Sequence, residues 1–356
     1  FIYTSGTTSK PKGVMIEHKS LVNTILDNAK TFGVQPSSVM YQATSFNFDA
    51  ATWVFFMALT SGAKLRLAAS LDFSEDLVSN PDVTHLMMTP SMLQTINAES
   101  VPVLSTVIVG GEACSPALVE TWANAEVKFF NAYGPTEAAI CTNTTQLFGT
   151  EKVTLGKRIS NTQLFVLGES QELLPFGAKG ELYIGGVGLA RGYNNLEEQT
   201  ANSFITNPYF NEQERNSSAR LYRTGDIVRY EQDGSLEYIG RKDEQVKIRG
   251  VRVELAAIES QLDQIPEVDS SAVLTEEIAG TKHLVAYIRA NTEVLDEQEY
   301  FSKLKAKLRL LLAMHLIPSH FVLVETWPLT ANGKVNKKQL PRIDLNIDQE
   351  SIHQAN

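Results

Sequence analysis

The chain opens with Phe1-Ile-Tyr-Thr-Ser-Gly-Thr-Thr-Ser-Lys-Pro-Lys-Gly13, and no other segment limits its possible folds so tightly. An apolar, strand-like lead runs into hydroxyls, glycines and two lysines, and the helix-like Ser20-Leu-Val-Asn-Thr-Ile-Leu-Asp27 follows. Such a loop suits polyphosphate. Amides freed by Gly6 and Gly13, the hydroxyls of Thr4, Ser5, Thr7 and Thr8, and the charges of Lys10 and Lys12 can together surround phosphate oxygens. It is not a Walker A loop, because no hydroxyl follows the lysine in Pro11-Lys12-Gly13 to hold magnesium. The bland alternative, a Gly/Ser/Thr linker, does not explain two lysines placed between a strand and a helix.

From Phe1 to about Gly134, short apolar runs alternate with helical patterns. Ala63–Ala68, His85–Met88 and Thr106–Val109 each read as strands, and the rhythm predicts βα units around a mostly parallel sheet. Ser115 is placed as a helix N-cap with Pro116 at the first helical position. From about Val153 to Arg241 the texture changes to short strands with turn signals: Gln163–Leu167, Glu181–Ile184, Ile227–Tyr230 and Leu236–Ile239. This predicts a small antiparallel barrel or meander. The glycine-rich Gly185–Gly192 run is read as a turn rather than a dinucleotide fingerprint, because Arg191 stands where the third glycine belongs and no βαβ unit surrounds it. Beyond Arg241 the pattern predicts a helix over Leu255–Ile265, strands at Ala272–Leu274 and Leu284–Ile288, and a helix over Gln298–Met314. That is a compact α+β unit. The expected division is therefore 1–242, 243–345 and a linker at 346–356, with the polar Asp243 as hinge between two cores.

Composition narrows the function classes. At 356 residues and 43% hydrophobic, the chain exceeds what one compact core usually holds, so two domains are expected. Acidic residues outnumber basic ones, 41 to 31, and the basic ones are scattered, which disfavours nucleic acid and anionic membrane as partners. Cys114 and Cys141 show no metal-binding or disulfide spacing, which fits a reducing, cytoplasmic compartment. The most apolar stretch, near Leu308–Ile317, contains Arg309 and His315 and falls short of the roughly 20 residues of a membrane helix.

Several segments in order carry a resemblance. With the opening loop, Asn131-Ala-Tyr-Gly-Pro-Thr-Glu137, Gly180-Glu-Leu-Tyr-Ile-Gly-Gly186, Tyr222-Arg-Thr-Gly-Asp226, Gly240-Arg-Lys-Asp-Glu-Gln-Val-Lys-Ile-Arg-Gly250 and Asn332-Gly-Lys-Val335 resemble the core motifs of nonribosomal peptide synthetase adenylation domains, in the acyl-adenylate-forming superfamily. The resemblance runs from residue 1 to about residue 345. It implies an α/β fold: the rear part of the large adenylate-forming subdomain, with a mostly parallel sheet and a small antiparallel barrel, followed by a small α+β C-terminal lid. Family members carry a substantial portion ahead of the phosphate loop, so the sequence is expected to be part of a longer polypeptide.

The resemblance also implies a chemistry. Carboxylates are poor electrophiles, and attack on the α-phosphate of ATP activates them with little covalent work by the protein. Thr4, Ser5, Gly6, Thr7, Thr8 and Lys12 would hold phosphates. Glu137 would hold Mg²⁺, beside Thr136; Tyr133 would offer a flat face to adenine, with Asn131 near it. Asp226 would accept from the ribose hydroxyls, helped by Tyr238 and Arg241. Lys334 would bridge the substrate carboxylate and the α-phosphate. The family's pocket positions fall on Asp49, Ala50, Trp53, Met87, Ile108, Gly110, Ala132, Ile140, Cys141 and Lys334, similar to a phenylalanine-activating pocket with Met87 and Gly110 as departures. Asp49 would pair with the α-ammonium. Without the resemblance, Glu137 reads as a helix-start glutamate, Tyr133 as a core tyrosine, Asp49 as a helix-cap aspartate and Lys334 as a surface lysine.

The implied product of the first step is an aminoacyl-adenylate, passed next to a phosphopantetheine thiol on a carrier domain, with a condensation domain as a further neighbour, as in antibiotic biosynthesis. Ser9 departs from the usual glycine of the phosphate loop, and Leu312–Pro318 lacks the family's usual proline and tyrosine. Two other readings stand beside this one: an acyl-coenzyme A ligase for an aromatic or fatty acid, disfavoured by Asp49, and an idle fragment or docking module. Lys334→Ala is expected to abolish most adenylate formation while sparing thioester formation from supplied adenylate, because the lysine acts only when the lid presents it. Parallel measurement of the two half-reactions checks this, and equal loss of both would refute it.

Overall fold

The computed structural model describes residues 1–4, 11–70, 72–123, 127–149, 152–214, 216–242, 246–248, 251–278, 281–328, 335–336 and 339–341. Its chain divides into two compact units, with the change at Arg252/Val253. The expected hinge, Asp243, lies outside the described residues.

The first unit begins with an antiparallel hairpin, β1 (Ile2–Thr4) and β2 (Lys12–Val14). Its main sheet then takes β3 (Val39–Gln42), β4 (Lys64–Leu67), β5 (His85–Met88), β6 (Thr106–Gly110), β7 (Lys128–Tyr133), β8 (Asn143–Leu147) and β9 (Lys157–Arg158) in the order β4-β3-β5-β6-β7-β8-β9. The five strands from β4 to β7 are parallel; β8 and β9 are antiparallel. Side-chain alternation explains why such short runs suffice. Tyr41, Leu86, Val107, Val109 and Phe129 enter one apolar core, and their neighbours Met40, Met87, Ile108 and Phe130 enter another on the opposite face. Helices α1 (His18–Phe32) and α2 (Asp49–Thr60) cover the second face through Ile25, Phe32, Trp53 and Met57; α3 (Phe73–Val78) and α5 (Pro116–Trp122) cover the first through Leu77, Leu118 and Trp122. The short α4 (Pro90–Leu93) follows β5.

Local signals set the helix ends. Gly33 closes α1 in the left-handed region (φ 72°), its N–H donating to the Ala29 and Lys30 carbonyls. The Ser115 hydroxyl caps α5 at 3.3 Å from the Leu118 N–H, with Pro116 at the first turn, as its sequence predicts.

The antiparallel region comprises β10 (Thr162–Leu167), β11 (Gly180–Gly186), β12 (Phe204–Thr206), β13 (Arg220–Tyr230) and β14 (Leu236–Arg241), with α6 (Glu197–Ser203) ahead of β12. Strand β13 is far longer than the expected Ile227–Tyr230. Gly225 sits inside it at φ 76°, and nearby register shifts absorb the kink. β15 (Val246–Ile248) and β16 (Val251–Val253) pair as a two-stranded sheet.

The second unit packs α7 (Leu255–Leu262) and α8 (Glu297–Leu311) with a sheet of β17 (Val268–Ile278), β18 (Thr281–Ala290) and β19 (His320–Leu323). Both helices end three residues before the expectation. Pro266 disfavours helical geometry at Ile265, and Leu312 turns extended so that Met314–Leu316 forms a separate 3₁₀ turn. Among the described residues, no helix is long and apolar enough to cross a membrane.

His85, at the start of β5, is buried between Thr84 and the Phe32 carbonyl, 3.2 Å from its Nε2. Burial lowers its pKa; the Lys128 charge adds to that, and the Phe32 carbonyl opposes it. The folded state therefore binds this proton less readily than the unfolded state. Its stabilising contribution is complete above about pH 6.5 and is lost as the pH falls through the lower folded value. Denaturant midpoints from about pH 7.5 to about pH 5 should fall in wild type and fall less in His85→Gln.

Candidate functional site

Four strands of the main sheet end together, at Gln42, Met88, Gly110 and Tyr133, and the expected site residues gather at these carboxyl ends. Register places Met87 beside Ile108 and Gly110 beside Ala132. Ala50, Trp53, Met87, Ile108, Ala132, Ile140 and Cys141 all belong to one apolar cluster, although they come from five separate segments. Gly110 completes the wall for a backbone reason: a Cβ there would stand 2.9 Å from the Ala132 carbonyl oxygen. Burial pushes the Cys141 thiol well above its ordinary pKa, so it lines the cluster as a neutral, protonated group. The indole N–H of Trp53 has no hydrogen-bond partner among the described residues, which puts one donor in this otherwise apolar lining.

Asp49 is the first residue of α2 and half-buried. The cap position itself is Phe48, so the carboxylate does not serve as a side-chain helix cap. It accepts instead from the Thr136 hydroxyl at 2.6 Å. That bond ties the segment expected to recognise an amino group to the turn expected to serve phosphate.

The turn itself, Thr136–Ala138, leaves β7 through Gly134 and Pro135. Glu137 is wholly buried there and accepts from the Tyr193 hydroxyl at 2.7 Å. Immediately after it, Ala139 and Ile140 occupy the left-handed region at φ 57° and 78°. For β-branched Ile140 this conformation is strained, a feature that concentrates at functional sites. Gly134 makes the turn possible: a Cβ on it would lie 2.4 Å from the Ile140 carbonyl oxygen.

Asp226, buried in β13, is gripped from both sides. Tyr133, at the end of β7, donates its hydroxyl to one carboxylate oxygen, and Arg241 of β14 donates to the other at 2.7 Å. Burial, and then the Asp226 charge, raise the Tyr133 pKa well above the ordinary phenol value, so this hydroxyl stays a donor. Arg241 and Asp226 also face each other in register.

The other expected residues are placed less centrally. The Asn131 amide donates to the Thr154 carbonyl at 2.7 Å, anchoring a loop. Tyr238 lies on β14 opposite Val228 and is 39% exposed. Thr4 and Lys12 oppose one another in the β1–β2 hairpin, and the Lys12 ammonium stands 4.6 Å from the centroid of the Tyr193 ring. Ser5, Gly6, Thr7, Thr8 and Lys334 lie outside the described residues. Tyr193 escaped the sequence reading. Its only local signal is a tyrosine just after the glycine-rich run, and its partners lie far away in the chain.

Gly134→Ala should cost about 1–3 kcal/mol of stability by overpacking. It should also raise the KM for the expected carboxylate substrate more than that for the expected nucleotide, because Ile140–Cys141 would have to shift. Denaturation midpoints and paired KM measurements check this; unchanged values would mean the turn yields without loss.

The chain is similar to known proteins along most of its length. A family model described as AMP-binding enzyme matches residues 1–194. Malpinin synthetase of Mortierella alpina is 42% identical over 96% of this chain, and tyrocidine synthase 1 of Brevibacillus parabrevis is 38% identical over 98%. The chain spans only 4% of the first relative's length and 32% of the second's. Among solved structures, holo-PA1221, a nonribosomal peptide synthetase protein with adenylation and carrier (PCP) domains bound to a vinylsulfonamide inhibitor, superposes with a TM-score of 0.82 at 29% identity. The match covers 95% of this chain and 58% of that one.

Proposed function

Because the chain belongs to the AMP-binding enzyme family, with peptide-synthetase adenylation domains as its relatives, we propose that it activates a large, apolar, phenylalanine-like amino acid as aminoacyl-AMP and passes it to a carrier-domain thiol. The observation that carries this reading is the pairing of one carboxylate with one apolar cluster. Asp49 begins the helix whose Ala50 and Trp53 enter the cluster with Met87, Ile108, Ala132, Ile140 and Cys141.

In the first step an oxygen of the substrate carboxylate attacks the α-phosphorus of ATP. The new P–O bond forms as the bond to the β-phosphate bridging oxygen breaks, and pyrophosphate leaves. The thiol of the phosphopantetheine arm then attacks the acyl carbon, and AMP departs. Asp49 meets the α-ammonium, and Thr136 orients the Asp49 carboxylate from the nucleotide side. Asp226 offers its carboxylate to ribose, while Tyr133 and Arg241 hold that carboxylate in place.

Glu137 is a single, fully buried carboxylate. No group of three or more His, Cys, Asp or Glu side chains that could hold a metal exists among the described residues. This donor set fits magnesium, which is commonly bound through one or two carboxylates plus substrate phosphates rather than an all-protein cage. When bound, the ion would neutralise phosphate charge. Lys334, from the second unit, and Lys12 would supply the cationic groups at the phosphates. Asp243 would be the hinge between a large unit and a lid. The PA1221 structure, which contains adenylation and PCP domains, supports a carrier domain as partner, and a condensation domain would be a further neighbour.

Phenylalanine should rank first, then other large apolar amino acids, with tyrosine weaker because its hydroxyl would enter a cluster of apolar side chains that offers no oxygen acceptor from a side chain. The test is pyrophosphate exchange by the full-length protein with phenylalanine and with 3-phenylpropanoate. Removing the amino group should lower kcat/KM at least about tenfold, because Asp49 is left without its charged partner. Asp49→Ala should narrow that gap. Equal use of both acids by wild type would move the coenzyme A ligase reading ahead.

A further inference from the structure

We propose that Tyr193 is a positioning residue for the phosphate and metal end of the site, its hydroxyl fixing the Glu137 carboxylate while its ring seats the Lys12 ammonium. This rests on the reading that Glu137 holds magnesium and Lys12 contacts phosphate. Tyr193 is 3% exposed and packs with Val14, Tyr133 and Ala138 in one apolar core. Its hydroxyl donates to Glu137 Oε1 at 2.7 Å, and Lys12 Nζ stands 4.6 Å from its ring centroid. One side chain thus touches both a cation and an anion expected at the triphosphate.

The backbone explains why these three residues meet. The strap from Ala190 to Asn194 is pinned along its length. Arg191 N–H donates to the Met15 carbonyl at 2.9 Å, Met15 N–H to Gly192 at 3.0 Å, and Asn194 N–H to Gly13 at 2.8 Å. On its other side, Ala190 N–H donates to the Glu137 carbonyl at 2.9 Å. The strap is therefore stitched to β2, which carries Lys12, and to the turn that carries Glu137. Tyr193 is the side chain this stitching places between them.

Physical chemistry gives each half of the side chain a task. A wholly buried carboxylate needs donors, and a charge-assisted bond from a tyrosine hydroxyl sets the rotation of the carboxyl plane and hence the direction it presents to a metal. A desolvated ammonium is attracted to the face of an aromatic ring, and Lys12 is only 6% exposed. If Tyr193 merely fills the core, phenylalanine would serve equally well, which makes Tyr193→Phe the deciding variant.

The test measures ATP binding calorimetrically on the full-length protein, once with Mg²⁺ and once with a chelator, for wild type, Tyr193→Phe and Glu137→Gln. Supporting residues around a metal ligand typically change metal affinity 10–100-fold, so Tyr193→Phe should weaken binding with Mg²⁺ about tenfold and metal-free binding by less than about twofold. Pyrophosphate exchange should show a raised magnesium requirement and an unchanged KM for the amino acid. Wild-type affinity for magnesium–ATP in Tyr193→Phe, alongside a loss in Glu137→Gln, would overturn the positioning role and leave the magnesium reading standing. No change in Glu137→Gln would overturn the magnesium reading and this inference with it. Tyr193→Leu tests the ring: it should lose a further few-fold of affinity with and without metal, and equality with Tyr193→Phe would refute the Lys12 half.

Discussion

A carboxylate taken out of water must be met by donors, and in the first unit that requirement couples two sheets of different construction. Asp226 belongs to the antiparallel β13, whereas the hydroxyl on one of its oxygens comes from Tyr133, the last residue of a parallel-sheet strand. Arg241 holds the other oxygen from the neighbouring β14. Removing one partner of a buried, paired charge typically costs about 3–5 kcal/mol, so this junction is among the least negotiable contacts of the unit. It also presets a carboxylate where a nucleotide's hydroxyls are expected, which lowers the ordering needed on binding.

Several constraints on the backbone meet at the end of β7. Tyr133 reaches across to Asp226, Gly134 gives way to the Ile140 carbonyl, Thr136 reaches Asp49, and Glu137 takes the Tyr193 hydroxyl. Thr142 N–H then returns to the Tyr133 carbonyl at 2.8 Å, closing the loop on itself. The left-handed Ala139 and Ile140 are held by that closure. Strain of this kind persists only where the surroundings over-determine it, and here the surroundings are the groups that would handle both substrates. The Thr136–Asp49 bond gives the expected amino-acid end and the expected nucleotide end a shared element.

Much of this was legible in the sequence. Short, continuous apolar runs marked β5 and β6 closely because both faces of those strands are buried, and Ser115-Pro116 marked a helix start because capping is a local interaction. Of the residues that the resemblance assigns to a pocket, seven meet in one apolar cluster. The length of β13 was not legible. The apolar run marked only Ile227–Tyr230, and only pairing with β11, β12 and β14 shows that the strand begins at Arg220.

Sequence alone thus determined the residue types expected at the site, the short apolar runs that build a two-sided parallel sheet, and the change of texture toward an antiparallel region and an α+β unit. These are short-range properties, written in neighbours a few positions apart. Tertiary structure alone decided that Tyr133 and Arg241 share Asp226, that Asp49 answers to Thr136, and that Tyr193 stands between Lys12 and Glu137. Several of these partners lie 56 to 93 positions apart. Their meeting depends on the path of the chain through two sheets, and no local pattern of hydrophobicity or turn chemistry encodes that path.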